Sequence, residues 1–135
     1  MIEYRHLRSI CHASIGTNQL DKAIAFYEAL LPTLAITKVC HYEKAAAFGK
    51  DYPEFWVQIP FDGKTATVGN GVHFGFVATS KAQVDAFYQK AIELGAICDG
   101  KPGGRPEYGE PYYGCFVRDL DGHKIEASFW PGEKA

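Results

Sequence analysis

Paired cysteines, an excess of charge of one sign and long apolar runs are all missing from this chain of 135 residues. Cys11, Cys40, Cys98 and Cys115 show neither Cys-x-x-Cys spacing nor clustering. Scattered among apolar neighbours, they read as buried free thiols in a reducing cytoplasm and not as a disulfide framework. Fourteen Lys and Arg against sixteen Asp and Glu leave a net charge of −2, which gives no reason to expect nucleic acid or an anionic membrane as a partner. No apolar run approaches the roughly 18 residues of a membrane span. The N-terminal Met-Ile-Glu-Tyr-Arg-His6 lacks the apolar core of a signal peptide. The expectation is a cytoplasmic protein.

What is present is a repeat. His12, Phe26, Tyr27, Ala35 and Ile36 are answered by His73, Phe87, Tyr88, Ala96 and Ile97, each 61 positions later. A second echo pairs Phe48, Asp51 and Gln58 with Phe116, Asp119 and Glu126 at an offset of 68. The seven extra residues fall between Ile97 and Phe116, where Gly and Pro cluster. Self-similarity at a fixed spacing marks two copies of one supersecondary unit. With 47% hydrophobic residues the chain can build a full core. Residues 1–135 are therefore read as a single domain made of two modules, 8–62 and 70–131.

Each module reads as strand, helix and three strands, giving an α+β fold of two βαβββ modules related by a pseudo-twofold. In the first, Ile10–Gly16 alternates, Thr17 or Asn18 caps a helix through Leu31, and Pro32 stops it. Strands follow over 34–41, 44–49 and 54–59. In the second, the strand is 72–78, Ser80 caps a helix through Leu94, and Gly95 ends it. A short strand 96–98, a long loop 99–111 and strands 112–118 and 123–130 complete the copy, the last two joined by the turn Asp119–Gly122. Helices cover one face of the sheet. The opposite face carries His12 with Ser14, His73 with Gly75, Glu126 with Lys124 and Ser128, and Gln58 with Trp56. Two such half-sheets side by side make an open, cup-shaped mixed sheet with helices outside. His6, His41 and His123 break the repeat and read as surface residues, and Cys11 reads as core packing.

His12-x-x-Ile-x-Thr-x-x-Leu-x-x-Ala-x-x-Phe-Tyr27, Gly71-Val-His-Phe-Gly-Phe76 and Asp119-Leu-Asp-Gly-His-Lys-Ile-Glu-Ala127 resemble the glyoxalase/bleomycin-resistance/dioxygenase superfamily, the vicinal oxygen chelate proteins. The resemblance runs from about Leu7 to Phe129. It implies paired βαβββ modules around one divalent ion (Zn, Ni, Mn, Fe or Co), with His12, His73 and Glu126 on three of the family's ligand positions. The fourth, a Glu in the glyoxalase I branch, falls on or next to Gln58.

Two imidazoles and one carboxylate hold such an ion on one face and leave positions open for a substrate's neighbouring oxygens. Glu126 and Gln58 are the candidate catalytic residues, and the neutral amide of Gln58 counts against glyoxalase I chemistry proper. Trp56 and Phe129 are candidates for stacking on a substrate ring. Arg105 and Tyr108, in the loop without a counterpart in module one, are candidates for a lid that pairs with a carboxylate or phosphonate. Two readings remain open. One is a metal-dependent enzyme on a small oxygen-rich substrate, with lyase or isomerase, dioxygenase or thiol-transferase chemistry. The other is a metal-free drug- or metabolite-binding protein of the bleomycin-resistance type. An open half-barrel leaves edges that a second chain would cover, so a homodimer is expected.

Overall fold

The structure, a computed structural model, describes residues 9–108 and 111–131. His6, read from sequence as a surface residue, lies outside them, as do the loop residues Gly109 and Glu110. Module one consists of β1 (Ala13–Gly16), α1 (Leu20–Leu30), a 3-10 turn (Leu31–Leu34), β2 (Thr37–His41), β3 (Ala45–Gly49) and β4 (Phe55–Gln58). Module two consists of β5 (His73–Val77), α2 (Lys81–Glu93), β6 (Ile97–Gly103), a 3-10 turn (Pro106–Tyr108), β7 (Tyr113–Arg118) and β8 (Lys124–Phe129). Each module makes its own open mixed sheet, ordered β1-β4-β3-β2 and β5-β8-β7-β6. In each the first strand runs parallel to the last, and the other pairs are antiparallel. This is the two-module α+β architecture expected from the repeat.

The helices form where apolar residues recur at helical spacing. Ala23, Ile24, Tyr27 and Leu30 make the buried stripe of α1, and Val84, Phe87 and Ala91 that of α2. Ser80 caps α2 by accepting from the Gln83 amide at 3.1 Å, and Gln83 Oε1 returns to the Thr79 amide at 2.8 Å. Gly95, at φ +102°, takes the left-handed conformation that ends α2. Gln19 holds the N-cap position of α1 without a side-chain capping bond, its side-chain amide donating to the Leu120 carbonyl at 3.2 Å and Asp121 at 3.1 Å. Thr17 instead accepts from the Gln19 amide at 3.1 Å. Pro32 does not end helical structure outright: it opens the 3-10 turn, since its fixed φ suits a first turn.

The helix-bearing sides of the two sheets share one core. Phe55 of β4 meets Phe76 of β5 edge-on at 5.0 Å and Phe74 at 6.0 Å. The β7–β8 turn locks onto module one as well. Tyr27 Oη donates to Asp119 at 2.5 Å, Thr17 Oγ1 to Asp121 at 2.6 Å, and His123 Nε2 to the Gly16 carbonyl at 2.7 Å. His123 is thus buried, correcting its reading as a surface residue, because the turn inserts between the modules. The thiols also differ from expectation. Cys115 is buried, but Cys11 and Cys98 are exposed and Cys40 is half-buried. Cys11 precedes β1, where the alternating pattern has not yet become a paired strand. Residues 99–103, read as loop, extend β6, with irregular pairing to β7 around Gly100 that glycine tolerates. Among the described residues no helix is long and apolar enough to cross a membrane.

Candidate metal centre

Strand alternation puts β8 residues Lys124, Glu126 and Ser128 on the face away from α2, while Ile125 and Ala127 are fully buried beneath. Glu126 lies in register with Gly75 on one side and Phe116 on the other. One rung along, His73 is in register with Lys124. His73 Nε2 stands 3.2 Å from Glu126 Oε1. A Cβ on Gly75 would come 3.1 Å from the same Oε1, so glycine keeps this flank of the carboxylate clear.

Two donors held about 2.1 Å from one ion at right-angled to tetrahedral geometry stand about 3.0–3.4 Å apart. The observed 3.2 Å is a direct imidazole–carboxylate hydrogen bond, and the same spacing lets the two atoms share a borderline divalent ion. Among the described residues no third His, Cys, Asp or Glu joins this pair. His12 is exposed and immediately precedes β1, on the other sheet. One chain therefore brings together two of the three expected ligands.

Register also moves the counterpart of Glu126. Ser14, two residues after His12, faces Trp56; Gly75, two residues after His73, faces Glu126. Trp56 therefore holds in module one the place that Glu126 holds in module two. Gln58 pairs with Gly16 and matches Ser128, which pairs with Val77. Phe116 likewise matches Ala47, not Phe48. Phe48 is buried against Tyr27, whereas Phe116 lies beside the His73 ring at 5.9 Å. The structural offset is 69 for Ala47 and Phe116 and 70 for Trp56 and Glu126, against 68 in the sequence echo. The one-residue difference puts Phe48 on the opposite strand face from Phe116, and the two-residue difference moves Gln58 along the same face. Trp56 stacks on Tyr42 at 6.3 Å with the planes 14° apart, leaving an aromatic platform on module one's outward face.

Of the other sequence candidates, Arg105 lies over the Phe116 ring at 5.8 Å, donating to the carbonyls of Lys101 at 2.8 Å and Gly104 at 3.0 Å. Lys124 Nζ sits 4.9 Å from the same ring. Tyr108 is half exposed and meets Tyr112 edge-on at 5.0 Å. Phe129 packs against the core, on the opposite face of β8 from Glu126, and is not brought to the site. A shallow hollow bounded by Thr17, Asn18, Leu20, Pro60 and Lys64 includes none of the candidates.

Tyr112 went unmarked in the sequence reading. Its phenol donates to Glu126 Oε2 at 2.5 Å, and burial followed by that bond holds it well above the ordinary tyrosine range. The only local sign is Gly114 two residues later, and a Tyr-x-Gly spacing says nothing without the fold.

Comparison with known proteins bears on this arrangement. The sequence model of the Glyoxalase/Bleomycin resistance protein/Dioxygenase superfamily matches residues 9–127. A glyoxalase/bleomycin resistance protein from Albidiferax ferrireducens is 34% identical, with a TM-score of 0.83 over 90% of this chain and 98% of that one. A family enzyme from Burkholderia phytofirmans superposes with a TM-score of 0.72 at 14% identity, covering 91% and 99%. Lactoylglutathione lyase from Agrobacterium tumefaciens gives 0.63 at 21% identity, covering 90% and 92%. These last two share the fold. No curated protein matches the chain.

Proposed function

Since the chain belongs to the glyoxalase/bleomycin resistance protein/dioxygenase superfamily, we propose that it is a divalent-metal-dependent enzyme acting on a small oxygen-rich substrate, with His12, His73 and Glu126 as the protein ligands. The observation that carries this is the 3.2 Å approach of His73 Nε2 to Glu126 Oε1, an exposed imidazole against a buried carboxylate. When bound, the ion (Zn, Ni, Mn, Fe or Co) supplies Lewis acidity toward two neighbouring substrate oxygens.

The third ligand comes from a second copy. β1 and β5 are both edge strands with one unpaired side, and Ile10, Val72 and Val77 expose apolar surface near these edges. A twofold dimer that sets β1 of one protomer beside β5 of its partner joins a His12 half-site to a His73–Glu126 half-site, twice. Trp56 and Tyr42 then form a wall opposite the pair, and Arg105 faces the substrate as a cation.

Glu126 and the loop residue Tyr108 are the proposed proton-transfer groups, and Glu126 can serve only when one of its oxygens is released from Tyr112 or the ion. Neither the Trp56 indole nor the Gln58 amide is a base, so turnover of the methylglyoxal–glutathione hemithioacetal is expected to be poor. Lyase, dioxygenase and thiol-transferase chemistry are all compatible with bidentate chelation. The Trp56–Tyr42 platform favours one second reading, a metal-free binder of planar small molecules.

Metal analysis of protein purified without chelators decides between them. One ion per chain, lost in His73→Ala and Glu126→Ala, supports the enzyme and opens a substrate panel in each metal form. A wild-type protein that neither retains nor rebinds any divalent ion overturns it.

A further inference from the structure

We infer that Tyr112 is a positioning residue for Glu126: its phenol occupies one carboxylate oxygen and leaves the other as the single donor toward His73 and the ion. The inference rests on the metal reading above and concerns a residue that reading does not require.

Glu126 has two different neighbours. Oε2 accepts from the Tyr112 phenol at 2.5 Å, and Oε1 faces His73 Nε2 at 3.2 Å. A carboxylate on a flexible side chain can turn either oxygen, or both, to an ion. A hydrogen bond to one oxygen fixes its rotation and selects one donor.

The surroundings are built for that contact. Tyr112 is 2% exposed, and Tyr108 and Trp130 meet its ring edge-on at 5.0 and 5.1 Å. The ring folds back over β7 only because position 114 has no side chain. A Cβ there would overlap the phenol oxygen and Cζ, and would also come 2.8 Å from the Ala127 carbonyl. Module one has none of this. By strand register Gly114 matches Ala45 and Glu126 matches Trp56. Two residues before Ala45 stands an exposed Glu43. The Tyr112–Gly114 pair thus occurs only where there is a carboxylate to hold.

The test is Tyr112→Phe, which keeps the ring and removes the O–H. Zn²⁺ and Co²⁺ affinities are measured by competition with a chromophoric chelator, and the Co²⁺ form by its visible absorption, alongside wild type and His73→Ala. The expected result is an affinity loss of about 10–100-fold, with altered Co²⁺ bands because the freed Oε2 can join Oε1 on the ion. Gly114→Ala, whose Cβ would crowd both the phenol and the Ala127 carbonyl of β8, is expected to weaken binding as well. It provides a second arm if Tyr112→Phe does not fold, read only with a far-ultraviolet circular dichroism spectrum matching wild type. Wild-type affinity and an unchanged Co²⁺ spectrum in Tyr112→Phe, with binding lost in His73→Ala, overturn the inference and leave the metal centre standing. Loss as complete as in His73→Ala also overturns it, since a positioning residue leaves the ligands in place. A wild-type protein that binds neither ion overturns both readings.

Discussion

Trp56 and Glu126 occupy equivalent places in the two modules, each across from the residue two positions beyond its module's histidine. Where one half-site offers a carboxylate, the other offers an indole stacked on Tyr42. The two modules therefore share a backbone plan but differ in what they bring to the site.

Installing the missing carboxylate tests that equivalence. Trp56→Glu is expected to tighten divalent-ion binding and raise hemithioacetal turnover above the wild-type level, at the loss of an aromatic contact of about 0.5–1.5 kcal/mol. Gln58→Glu, two residues along β4, is expected to do neither. Calorimetric metal titration and a lactoylglutathione absorbance assay on both variants check this. A response to Gln58→Glu alone would place the fourth position where the sequence offset puts it.

The fold was legible because it rests on local rules. Helical stripes such as Ala23, Ile24, Tyr27 and Leu30, the Ser80 cap and the Gly95 terminator all act within a few residues. His73 and Glu126 were legible because strand alternation puts both on one face. The failures are non-local. By strand register the offset grows from 61 at the histidines to 69 at Ala47 and Phe116 and 70 at Trp56 and Glu126. That is eight to nine extra residues where the sequence echo counts seven, and it slides Gln58 and Phe48 onto the wrong partners. His123 breaks the repeat but is buried, because it bonds to Gly16 of the other module, 107 positions away. Tyr112 was invisible because its role depends on a ring turning back over a glycine. That His12 stands apart from His73 in one chain follows from which sheet faces share the core, and no pattern along the chain encodes that choice.

Assembly can be measured directly. Light scattering at micromolar concentration is expected to give twice the 14.9 kDa chain mass. Val77, 62% exposed on the β5 edge strand, lies where a second copy would seat. Val77→Lys is expected to shift the protein to monomer, since a charge on an edge opposes strand addition. Metal stoichiometry should fall with it if the proposed site is right, because the monomer brings together only two of the three proposed ligands. A monomeric protein that binds one ion per chain as tightly as the dimer would refute the shared site.

Tyr27 ties α1 to the β7–β8 turn through Asp119, which is itself buried and also accepts from the Asp121 and His123 amides. Tyr27→Phe is expected to lower stability by about 1–3 kcal/mol, since the lost donor leaves a buried carboxylate less satisfied. A pH signature accompanies this. Burial, then the Asp119 charge, raises the Tyr27 phenol well above its ordinary value of 10.0. The folded chain therefore keeps a proton that the unfolded chain releases above about pH 10. The stability is fully present below that pH and falls as pH rises beyond it. Urea midpoints between pH 8 and 11 should decline in wild type and decline less steeply in Tyr27→Phe. Equal slopes would show that Tyr27 does not carry the alkaline loss.

Two thiols should behave oppositely toward a disulfide reagent. Cys98 is exposed, and its thiolate is favoured by a hydrogen bond from Tyr88 and next by the Gly100 amide, which lower its pKa. Cys115 is fully buried, and burial pushes its thiol up to about 12. At pH 8, peptide mapping after brief treatment with dithionitrobenzoate should find Cys98 modified and Cys115 intact until urea unfolds the chain. Tyr88→Phe removes the donor to the thiolate, so labelling of Cys98 should slow while that of exposed Cys11 stays constant. The comparison within one molecule separates thiolate stabilisation from access, because Tyr88→Phe leaves both sites open to the reagent. An unchanged Cys98 rate would mean that exposure alone sets its reactivity.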